Sequence, residues 1–195
     1  MKLITISGLD GSGKSTQIKL LKDYLKSQDK TFFYFHAVEF SFGNKVLGKK
    51  KDKTGKEVSV KNAGWLKIFL RKISLLIDIC RFKRLVKKLK VDYIISDRYF
   101  YDSIININYL SEKNSKLCAE KYIPKPDFAF YIDVKPEIIM QRERKPDQGM
   151  EYLLAKEKIF SEKIKDWDIV SVDGEKNKDE IFSEIKSKIK CLNFS

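Results

Sequence analysis

The sequence predicts an α/β fold with a parallel sheet, and two of its patterns carry that prediction. Short apolar segments rich in Ile, Val, Phe or Tyr alternate with longer segments of helical spacing. A glycine-rich turn follows the first apolar segment and leads directly into the first helical one. Strands that alternate with helices pair in parallel through right-handed crossovers, and ligands gather at the carboxyl edge of such a sheet. We therefore expect five parallel strands flanked by helices, with the functional site at their carboxyl ends.

Five segments have the length and composition of strands, and six have helical spacing. The strands are predicted at Lys2 to Ser7, Thr31 to Phe35, Val91 to Ser96, Asp127 to Asp133 and Asp168 to Val172. The helices are predicted at Ser15 to Ser27, Asn62 to Lys90, Phe100 to Leu110, Pro136 to Arg144, Glu151 to Lys165 and Lys178 to Lys190. In the first helix Ile18, Leu21 and Leu25 share one face, which we expect to pack against the sheet.

The composition is that of one compact domain with a positive surface. The 195 residues, 43% of them hydrophobic, suffice for one core, and the whole chain 1–195 is expected to form a single domain. The net charge of +13 attracts polyanions, which leaves nucleic acid, a membrane face and small phosphorylated ligands open. The apolar stretches are too short, or interrupted by Asp78, to span a membrane, so no membrane partner is expected.

The cysteines and the single histidine limit the kinds of catalytic and metal site that the chain can form. Cys80, Cys118 and Cys191 lie far apart without a CxxC pair, which is typical of reduced thiols in a cytoplasmic protein and argues against disulfides or a zinc site. His36 is the only histidine, which excludes His-based triads and multi-histidine metal sites. The chemistry must therefore use Lys, Arg, Asp, hydroxyls and backbone amides.

A lysine-rich segment at about 45–61 interrupts the regular alternation. Seven lysines stand there against Asp52 and Glu57, with Gly48 and Gly55 as breakers. We predict an exposed basic insertion, which either serves solubility or attracts a phosphorylated substrate or nucleic acid.

The strongest motif follows the first predicted strand. Residues Gly8 to Thr16 read G-L-D-G-S-G-K-S-T and match the phosphate-loop pattern G-x-x-x-x-G-K-[ST]. Glycines let successive backbone N–H groups curl around a phosphate, and the following helix adds its positive amino end. Lys14 is expected to reach the β- and γ-phosphates of a nucleoside triphosphate, and the Ser15 hydroxyl to bind Mg²⁺. The nucleotide-binding residues predicted from this motif are Gly8, Leu9, Asp10, Gly11, Ser12, Gly13, Lys14, Ser15 and Thr16.

An acid and an arginine end the third predicted strand. Asp97 leaves a hydrophobic strand beside the phosphate loop, which suits a residue that orders Mg²⁺, and Arg98 has the fork needed to hold a second phosphate. The alternative is structural, with Asp97 capping the next helix and Arg98 exposed at the surface. A GTPase is not favoured, because the D-x-x-G match at Asp52 lies in the lysine-rich segment and the nearest guanine-reading pattern, at Asn177, is one residue short.

Four motifs resemble, in order and spacing, those of the thymidylate kinase family of nucleoside monophosphate kinases. They are the phosphate loop from Gly8 to Thr16, D-R-Y at Asp97 to Tyr99, P-D-F-A-F-Y-I-D-V at Pro126 to Val134 and R-E-R-K at Arg142 to Lys145. The resemblance covers most of the chain. It implies a P-loop kinase fold with a short lid, expected at about 142–150, and the phosphorylation of dTMP to dTDP by ATP with Mg²⁺.

The resemblance also implies roles for individual side chains. Asp10 is expected to accept a hydrogen bond from the 3′-hydroxyl of the acceptor, Arg98 to contact its phosphate and Asp97 to help place Mg²⁺. The L-L-I-D-I-C-R segment that ends at Arg81 resembles the family's L-L-F-x-x-x-R helix, which makes Arg81 a second phosphate ligand, and Ser103 falls near the base. The substrate-binding residues expected are Asp10, Arg81, Asp97, Arg98 and Ser103, and the metal-binding residues are Ser15 and Asp97.

This chain has Gly11 where some members of the family carry a catalytic arginine in the phosphate loop. The cations that stabilise the transferred phosphoryl group are therefore expected from the lid, at Arg142, Arg144 and Lys145. The alternative is a solvated basic helix end, placed favourably against the helix dipole. The catalytic residues predicted are Lys14, Arg98, Arg142 and Arg144.

Several positions that would recognise the acceptor nucleotide depart from the family pattern. The T-R-E-P-G segment is absent, Ile77 stands where a Phe would stack on the base, and Asn106 stands where an aromatic ring would help exclude a ribose 2′-hydroxyl. Phe40, Phe69 and Tyr101 are candidates to supply the missing ring.

The preferred function is phosphoryl transfer from ATP to a nucleoside monophosphate, with dTMP as the first choice. Two alternatives stay open: a P-loop kinase acting on another nucleotide, a polynucleotide end or a small phosphorylated acceptor, and a nucleotide-gated nucleic-acid-binding protein. The second rests on the charge of +13 and the lysine-rich segment, and it is not favoured. By resemblance we expect a homodimer, with the apolar stretch from Asn62 to Lys90 at its interface.

Overall fold

The computed structural model describes residues 1–42, 64–111, 116–143 and 146–191 of the chain. Within them the strands are β1 (Lys2–Gly8), β2 (Phe32–His36), β3 (Tyr93–Asp97), β4 (Phe128–Asp133) and β5 (Val170–Asp173). They form one all-parallel sheet in the order β2-β3-β1-β4-β5. The predicted five-stranded parallel sheet is confirmed.

Helices follow the strands and cover the sheet. They are α1 (Lys14–Ser27), α2 (Ala37–Phe40), α3 (Trp65–Lys88), α4 (Phe100–Ser111), α5 (Pro136–Gln141), α6 (Gly149–Lys163) and α7 (Lys178–Cys191), with a 3₁₀ turn at Cys118–Tyr122. The predicted inner face of α1 is confirmed, because Ile18, Leu21 and Leu25 are buried. Among the described residues, none of the helices combines the length and the apolar character that crossing a membrane requires.

The core lies along the three central strands. Ile4, Ile6, Ile95 and Ile132 are fully buried, and the strands read as continuous apolar runs. Such runs are typical of parallel strands that are covered by helices on both faces. The burial of these strands provides the rigid platform from which the site residues project.

The strand order places the glycine-rich loop at a defined point of the sheet. β1 lies in the centre, where Ile6 pairs with Asp97 of β3 and Gly8 pairs with Ile132 of β4. Because β2 lies beyond β3, the strand order reverses next to β1. Open α/β sheets bind their ligands at such a reversal, outside the carboxyl ends of the strands.

One helix is shorter than its sequence predicts. The helix expected at 136–144 ends at Gln141, since Arg142 adopts an extended backbone with φ −73° and ψ 151°. The reason is tertiary: the Arg142 guanidinium donates a hydrogen bond to the carbonyl oxygen of Gly11. The lysine-rich insertion predicted at 45–61 lies outside the described residues, as does the whole segment 43–63.

Candidate active site

The phosphate loop joins β1 to α1 and depends on two glycines for its shape. Gly13 has a left-handed backbone, with φ 96°, at the residue that caps α1. A Cβ atom on Gly8 would lie 2.8 Å from the carbonyl oxygen of Ile132 and 2.7 Å from the hydroxyl of Ser12, so a side chain there would collide with β4. The loop can therefore pass close to the sheet and turn its N–H groups toward the amino end of α1, where an anion is favoured.

Lys14 fills the interior of this loop. Its side chain is buried and its ammonium donates to the carbonyl oxygens of Gly8, at 3.0 Å, and Leu9, at 2.6 Å. Burial lowers the pKa of Lys14 to about 8, and the nearby Arg98 charge acts in the same direction. The hydrogen bonds of this buried ammonium go to two uncharged carbonyl oxygens, and an arriving phosphate would replace them with stronger, charged acceptors.

Ser12 is a second buried polar residue of the loop. The Ser12 hydroxyl oxygen is buried and makes no hydrogen bond within the described part of the chain. Buried polar atoms are nearly always hydrogen-bonded, so an exception of this kind calls for an explanation. A phosphate in the loop would offer the acceptor, and the loop therefore fits the phosphates of a nucleotide on its own geometry.

Oxygen donors for a hard cation line a cleft next to the loop. Ser15, in the first turn of α1, and Asp97, at the end of β3, both line an open cavity of about 380 Å³ between α1 and the sheet edge. Asp97 is buried, and one of its carboxylate oxygens accepts a 3.1 Å hydrogen bond from the hydroxyl of Tyr34. A hydroxyl and a carboxylate are the oxygen ligands that Mg²⁺ prefers. The residue types and their shared cleft thus fit the predicted metal site.

Arg98 turns from the end of β3 toward the phosphate loop. Its backbone is left-handed, with φ 60°, and its amide donates 3.0 Å to the carbonyl oxygen of Ile6. Non-glycine residues rarely adopt this conformation, and it costs about 1–3 kcal/mol where it occurs. The turn aims the guanidinium at Asp10, with which it forms a hydrogen-bonded ion pair.

Asp102, in the first turn of α4, supports this arginine from the other side. One of its oxygens lies 3.9 Å from the Arg98 guanidinium, and the other accepts hydrogen bonds from the Ser7 hydroxyl, at 2.5 Å, and the Tyr99 amide, at 2.9 Å. Burial alone would lower the pKa of Arg98, but Asp10 and Asp102 outweigh it and raise the pKa. Arg98 therefore stays charged in a position that two carboxylates define.

Two residues of α6 complete the cluster around Asp10. The Tyr152 hydroxyl donates to the second carboxylate oxygen of Asp10, at 3.1 Å, and the Lys156 ammonium donates to the Tyr152 hydroxyl. Burial would raise the pKa of Asp10, yet Arg98, Lys156 and Lys14 outweigh it and lower the pKa. Asp10 is thus ionised, and both of its oxygens are already held.

The cations of this cluster repel one another. Arg98 lowers the pKa of Lys14, and Arg98 and Lys14 both lower the pKa of Lys156, in a buried environment where electrostatic interactions are stronger than in water. Asp10 and Asp102 attract all three cations, and Asp97 also attracts Lys14. A phosphate bound next to Lys14 would offset the repulsion among the cations.

Arg142 approaches the same loop from the end of α5. Its guanidinium donates to the carbonyl oxygen of Gly11, at 2.7 Å, and to that of Gly174, at 3.3 Å. A Cβ atom placed on Gly13 would lie 3.8 Å from the Arg142 guanidinium. The alternative of a solvated helix end therefore does not describe Arg142, which reaches from the end of α5 to the phosphate loop.

Arg81 makes its contacts with a different part of the chain. Its guanidinium bonds to Asp78, at 2.7 Å, and to the carbonyl oxygen of Phe40, at 3.0 Å, and it lies 4.3 Å from the centre of the Phe40 ring. These contacts tie α3 to the end of α2, where the family's T-R-E-P-G segment would lie. Ser103 is half-buried on α4, next in sequence to Asp102.

The candidates for the missing base-stacking ring lie in three different environments. Tyr101 is buried and its ring stacks on Trp167, with the centroids 4.6 Å apart. Phe40 is covered by the Arg81 guanidinium, whereas Phe69 is exposed on α3. The Tyr101 ring therefore packs in the core against Trp167.

The structure brings most of the predicted site residues together. Asp10, Lys14 and Arg98 form one cluster, which Arg142 joins at the loop, and Ser15 and Asp97 share the neighbouring cleft. Arg81 has its own group of contacts, and Arg144 and Lys145 lie outside the described residues.

Asp102 and Lys156, which surround Asp10 and Arg98 in this cluster, were not predicted from the sequence. Asp102 follows Arg98 by four residues, which is a spacing that could have suggested an ion pair. The buried face of α6 carries two lysines among its apolar residues: Leu153, Lys156, Phe160 and Lys163. A lysine on an apolar stripe was the available signal for Lys156.

The all-parallel sheet, with a glycine-rich loop at the carboxyl end of its central strand, defines a P-loop kinase fold. A thymidylate kinase from Candida albicans has the same fold, with a TM-score of 0.69 and 20% sequence identity over 98% of this chain and 92% of that one. The family model of thymidylate kinase matches residues 6–185. The chain therefore belongs to the thymidylate kinase family.

Curated relatives agree with this membership. A thymidylate kinase from Thermosipho africanus is 29% identical, over 94% of this chain and 95% of the relative. A probable thymidylate kinase from Archaeoglobus fulgidus is 28% identical, over 97% of this chain and 95% of the relative. The likeness extends along nearly the whole chain, so it includes both sides of the site.

Proposed function

We propose that the protein transfers the γ-phosphoryl group of ATP to dTMP, forming dTDP. The observation that carries the proposal is the ion pair between Asp10 of the phosphate loop and Arg98 at the end of β3. The pair lies beside the loop that fits a nucleotide phosphate, and it supports a role of the Asp10 carboxylate in binding the acceptor and of the Arg98 guanidinium in binding its phosphate. Membership of the thymidylate kinase family supports dTMP as the acceptor.

In this proposal the phosphate loop binds the donor. The backbone N–H groups from Gly8 to Thr16 and the amino end of α1 hold the phosphates of ATP. Lys14 exchanges its carbonyl partners for phosphate oxygens, and Ser12 gains the partner that its hydroxyl lacks. Ser15 and Asp97 hold or order Mg²⁺, which neutralises phosphate charge when it is bound.

The acceptor binds on the opposite side of the loop. Asp10 accepts the hydrogen bond of the sugar 3′-hydroxyl, Arg98 holds the acceptor phosphate, and Ser103 lies toward the base. The geometry supports the first two roles more directly, since Asp10 and Arg98 touch each other at the loop. Arg81 is proposed as a second contact to the acceptor phosphate. To make it, the guanidinium would replace its hydrogen bonds to Asp78 and to the carbonyl oxygen of Phe40 with hydrogen bonds to the phosphate.

Arginine charge supplies the rate enhancement. Phosphoryl transfer needs little covalent work by the protein, and cations on the equatorial oxygens lower the barrier most. Lys14, Arg98 and Arg142 converge on the loop, and Arg144 is proposed to join them from the lid. The lid itself, at about 142–150, and a cytoplasmic location stay predictions.

Initial rates of ADP release with a panel of acceptors test the proposal. The panel contains dTMP, dUMP, dCMP, AMP, GMP, an oligonucleotide with a free 5′-end and a phosphorylated sugar, each with ATP and Mg²⁺. We expect dTMP to give the highest kcat/KM, and chelation of Mg²⁺ to abolish turnover. A rate for dTMP among the slowest of the panel would overturn the choice of acceptor.

A homodimer is the proposed assembly. The exposed face of α3 carries apolar side chains at intervals of three and four residues: Leu66, Phe69, Leu70, Ile73, Leu76 and Ile77. A stripe of this spacing can pack against a second copy of itself around a two-fold axis. We expect sedimentation velocity to give a dimer, and Ile73→Lys to give a monomer; a monomeric wild type would contradict the proposal.

A further inference from the structure

Lys156 is a buried cation that the proposed chemistry does not yet use. It lies on α6 with 5% of its surface exposed, four residues after Tyr152, so the two side chains share one face of the helix. Its ammonium donates to the Tyr152 hydroxyl and lies 4.4 Å from the centre of the Tyr152 ring. Burying an ammonium is unfavourable, and a neutral phenol compensates for it only in part.

Lys163, a second buried lysine on the same helix, provides a comparison, because its burial has a structural explanation. Lys163 is also 5% exposed, but it pairs with the carboxylate of Glu120, at 3.6 Å, and lies over the Trp167 ring. That ion pair accounts for the burial of Lys163. Lys156 instead points toward the acceptor side of the phosphate loop.

The contacts of Lys156 continue into the site. The Tyr152 hydroxyl receives the Lys156 hydrogen bond and donates its own proton to one oxygen of the Asp10 carboxylate, at 3.1 Å. The other carboxylate oxygen is held by Arg98. Asp10 is therefore held by Tyr152 of α6 at one oxygen and by Arg98, at the end of β3, at the other.

Tyr152 is itself held in place. Its ring meets the ring of Tyr109 on α4 edge to face, with the centroids 5.3 Å apart. Burial raises the pKa of Tyr152 and the Asp10 charge adds to this, so the hydroxyl keeps its proton and remains a donor. A tyrosine that accepts from a cation is also a stronger donor, since hydrogen bonds in a chain polarise one another.

We propose that Lys156 is a positioning residue for the acceptor: through Tyr152 it holds the Asp10 carboxylate in the orientation that receives the 3′-hydroxyl of the acceptor sugar. The inference rests on the proposed function, and it goes further by naming the part of the substrate that the α6 pair governs. Asp10 keeps unused lone pairs on both oxygens, so it can accept the hydroxyl without breaking either existing contact.

The expected signature is a change in acceptor affinity with little change in chemistry. A carboxylate that has lost one anchor must be ordered when the acceptor binds, which weakens binding. The reacting phosphates lie at Lys14 and Arg98, which Lys156→Met leaves in place. We expect the KM for dTMP to rise about tenfold, equal to ~1.4 kcal/mol, with kcat changed less than about twofold.

An acceptor without the 3′-hydroxyl separates this role from others. The 3′-deoxy analogue of dTMP cannot make the Asp10 contact, so its KM should be the same for the wild type and Lys156→Met. Tyr152→Phe removes only the hydroxyl and should reproduce the KM increase for dTMP. The double variant should show no further increase, because both changes break the same chain of hydrogen bonds.

Lys163→Met is the matched control, since it removes a buried lysine from the same helix away from Asp10. It should leave both KM values unchanged, whatever its effect on the melting temperature. Equal KM increases for dTMP and its 3′-deoxy analogue in Lys156→Met, or additive effects with Tyr152→Phe, would overturn the inference. A wild type without activity on dTMP would instead overturn the proposed function, which the acceptor panel detects independently.

Discussion

Asp10 and Arg98 stand 88 residues apart in the chain and form an ion pair at the centre of the site. They meet because β1 and β3 are neighbours in the sheet, with Ile6 and Asp97 in register. Arg98, one residue after Asp97, and Asp10, four residues after Ile6, therefore emerge at the same edge of the sheet. The left-handed backbone of Arg98 completes the approach by turning its side chain back over β1. The pair joins the phosphate loop to the end of β3.

Lys14→Met should remove most turnover and leave the fold intact. Lys14 is the cation inside the phosphate loop, and methionine fills a similar volume without its charge. We expect kcat to fall by about a hundredfold or more, as is typical when a donor to the transferred charge is lost. The measurement is ADP release together with circular dichroism.

The exposed Lys188 on α7 provides the control for this change, since Lys188→Met removes a lysine remote from the loop. Its turnover should equal that of the wild type. Wild-type turnover in Lys14→Met would reject the loop as the donor site.

Asp10→Asn and Arg98→Met should be strongly non-additive. Each single change leaves the other charge half-buried without its ion-pair partner, with only Tyr152 on Asp10 or Asp102 beside Arg98, which costs more than losing the pair itself. We expect each to raise the KM for dTMP by about tenfold to a hundredfold. The double variant should be closer to either single variant than to the product of their effects. Independent, multiplicative effects in this double-mutant cycle would show that the pair does not act as a unit.

Arg142→Ala should lower kcat more than it raises either KM. The Arg142 guanidinium reaches the loop at Gly11 and bridges to Gly174, which places it on the donor side. We expect kcat to fall by about tenfold to a hundredfold, because a charge on the transferred group is lost. Arg142→Lys should recover only part of the rate, since lysine cannot bridge two carbonyl groups with one planar fork. Full recovery with lysine would mean that charge alone is required.

Lys156→Met should stabilise the ligand-free protein at neutral pH. Burial lowers the pKa of Lys156 from 10.5 to about 8, against the opposing attraction of Asp10. Below pH 8 the folded protein therefore carries a buried charge that the unfolded chain holds in water, and this unfavourable contribution is present in full. Between pH 8 and 10.5 only the unfolded chain keeps the proton, so the contribution disappears as the pH rises.

The difference between the two proteins should follow that pH range. Thermal melts should show Lys156→Met more stable by about 2–3 kcal/mol at pH 7, and the gain should shrink toward zero near pH 10. Lys14 has a similarly lowered pKa and repels Lys156, so loss of the Lys156 charge also removes this repulsion and adds to the gain at pH 7. A stability difference that stays constant from pH 7 to pH 10 would contradict the role given to the Lys156 charge.

Local patterns were sufficient for the fold and for the donor loop. The apolar segments that became β1 to β5 were each recognisable within a few residues, and the phosphate loop is a contiguous motif whose chemistry depends on its own glycines and Lys14. The predicted helix at 136–144 was too long at its carboxyl end, because helical spacing continues past Gln141. No local pattern indicates the hydrogen bond from Arg142 to the carbonyl oxygen of Gly11.

The sequence by itself determined the class of fold and the family, and it predicted the phosphate-loop residues, because these depend on periodicity and on short motifs. Only the tertiary structure decided how Asp10 is held. Tyr152 lies 142 residues from Asp10 and Arg142 lies 131 residues from Gly11. Such contacts depend on where α5 and α6 lie against the sheet, which packing over the whole core sets and no local pattern encodes.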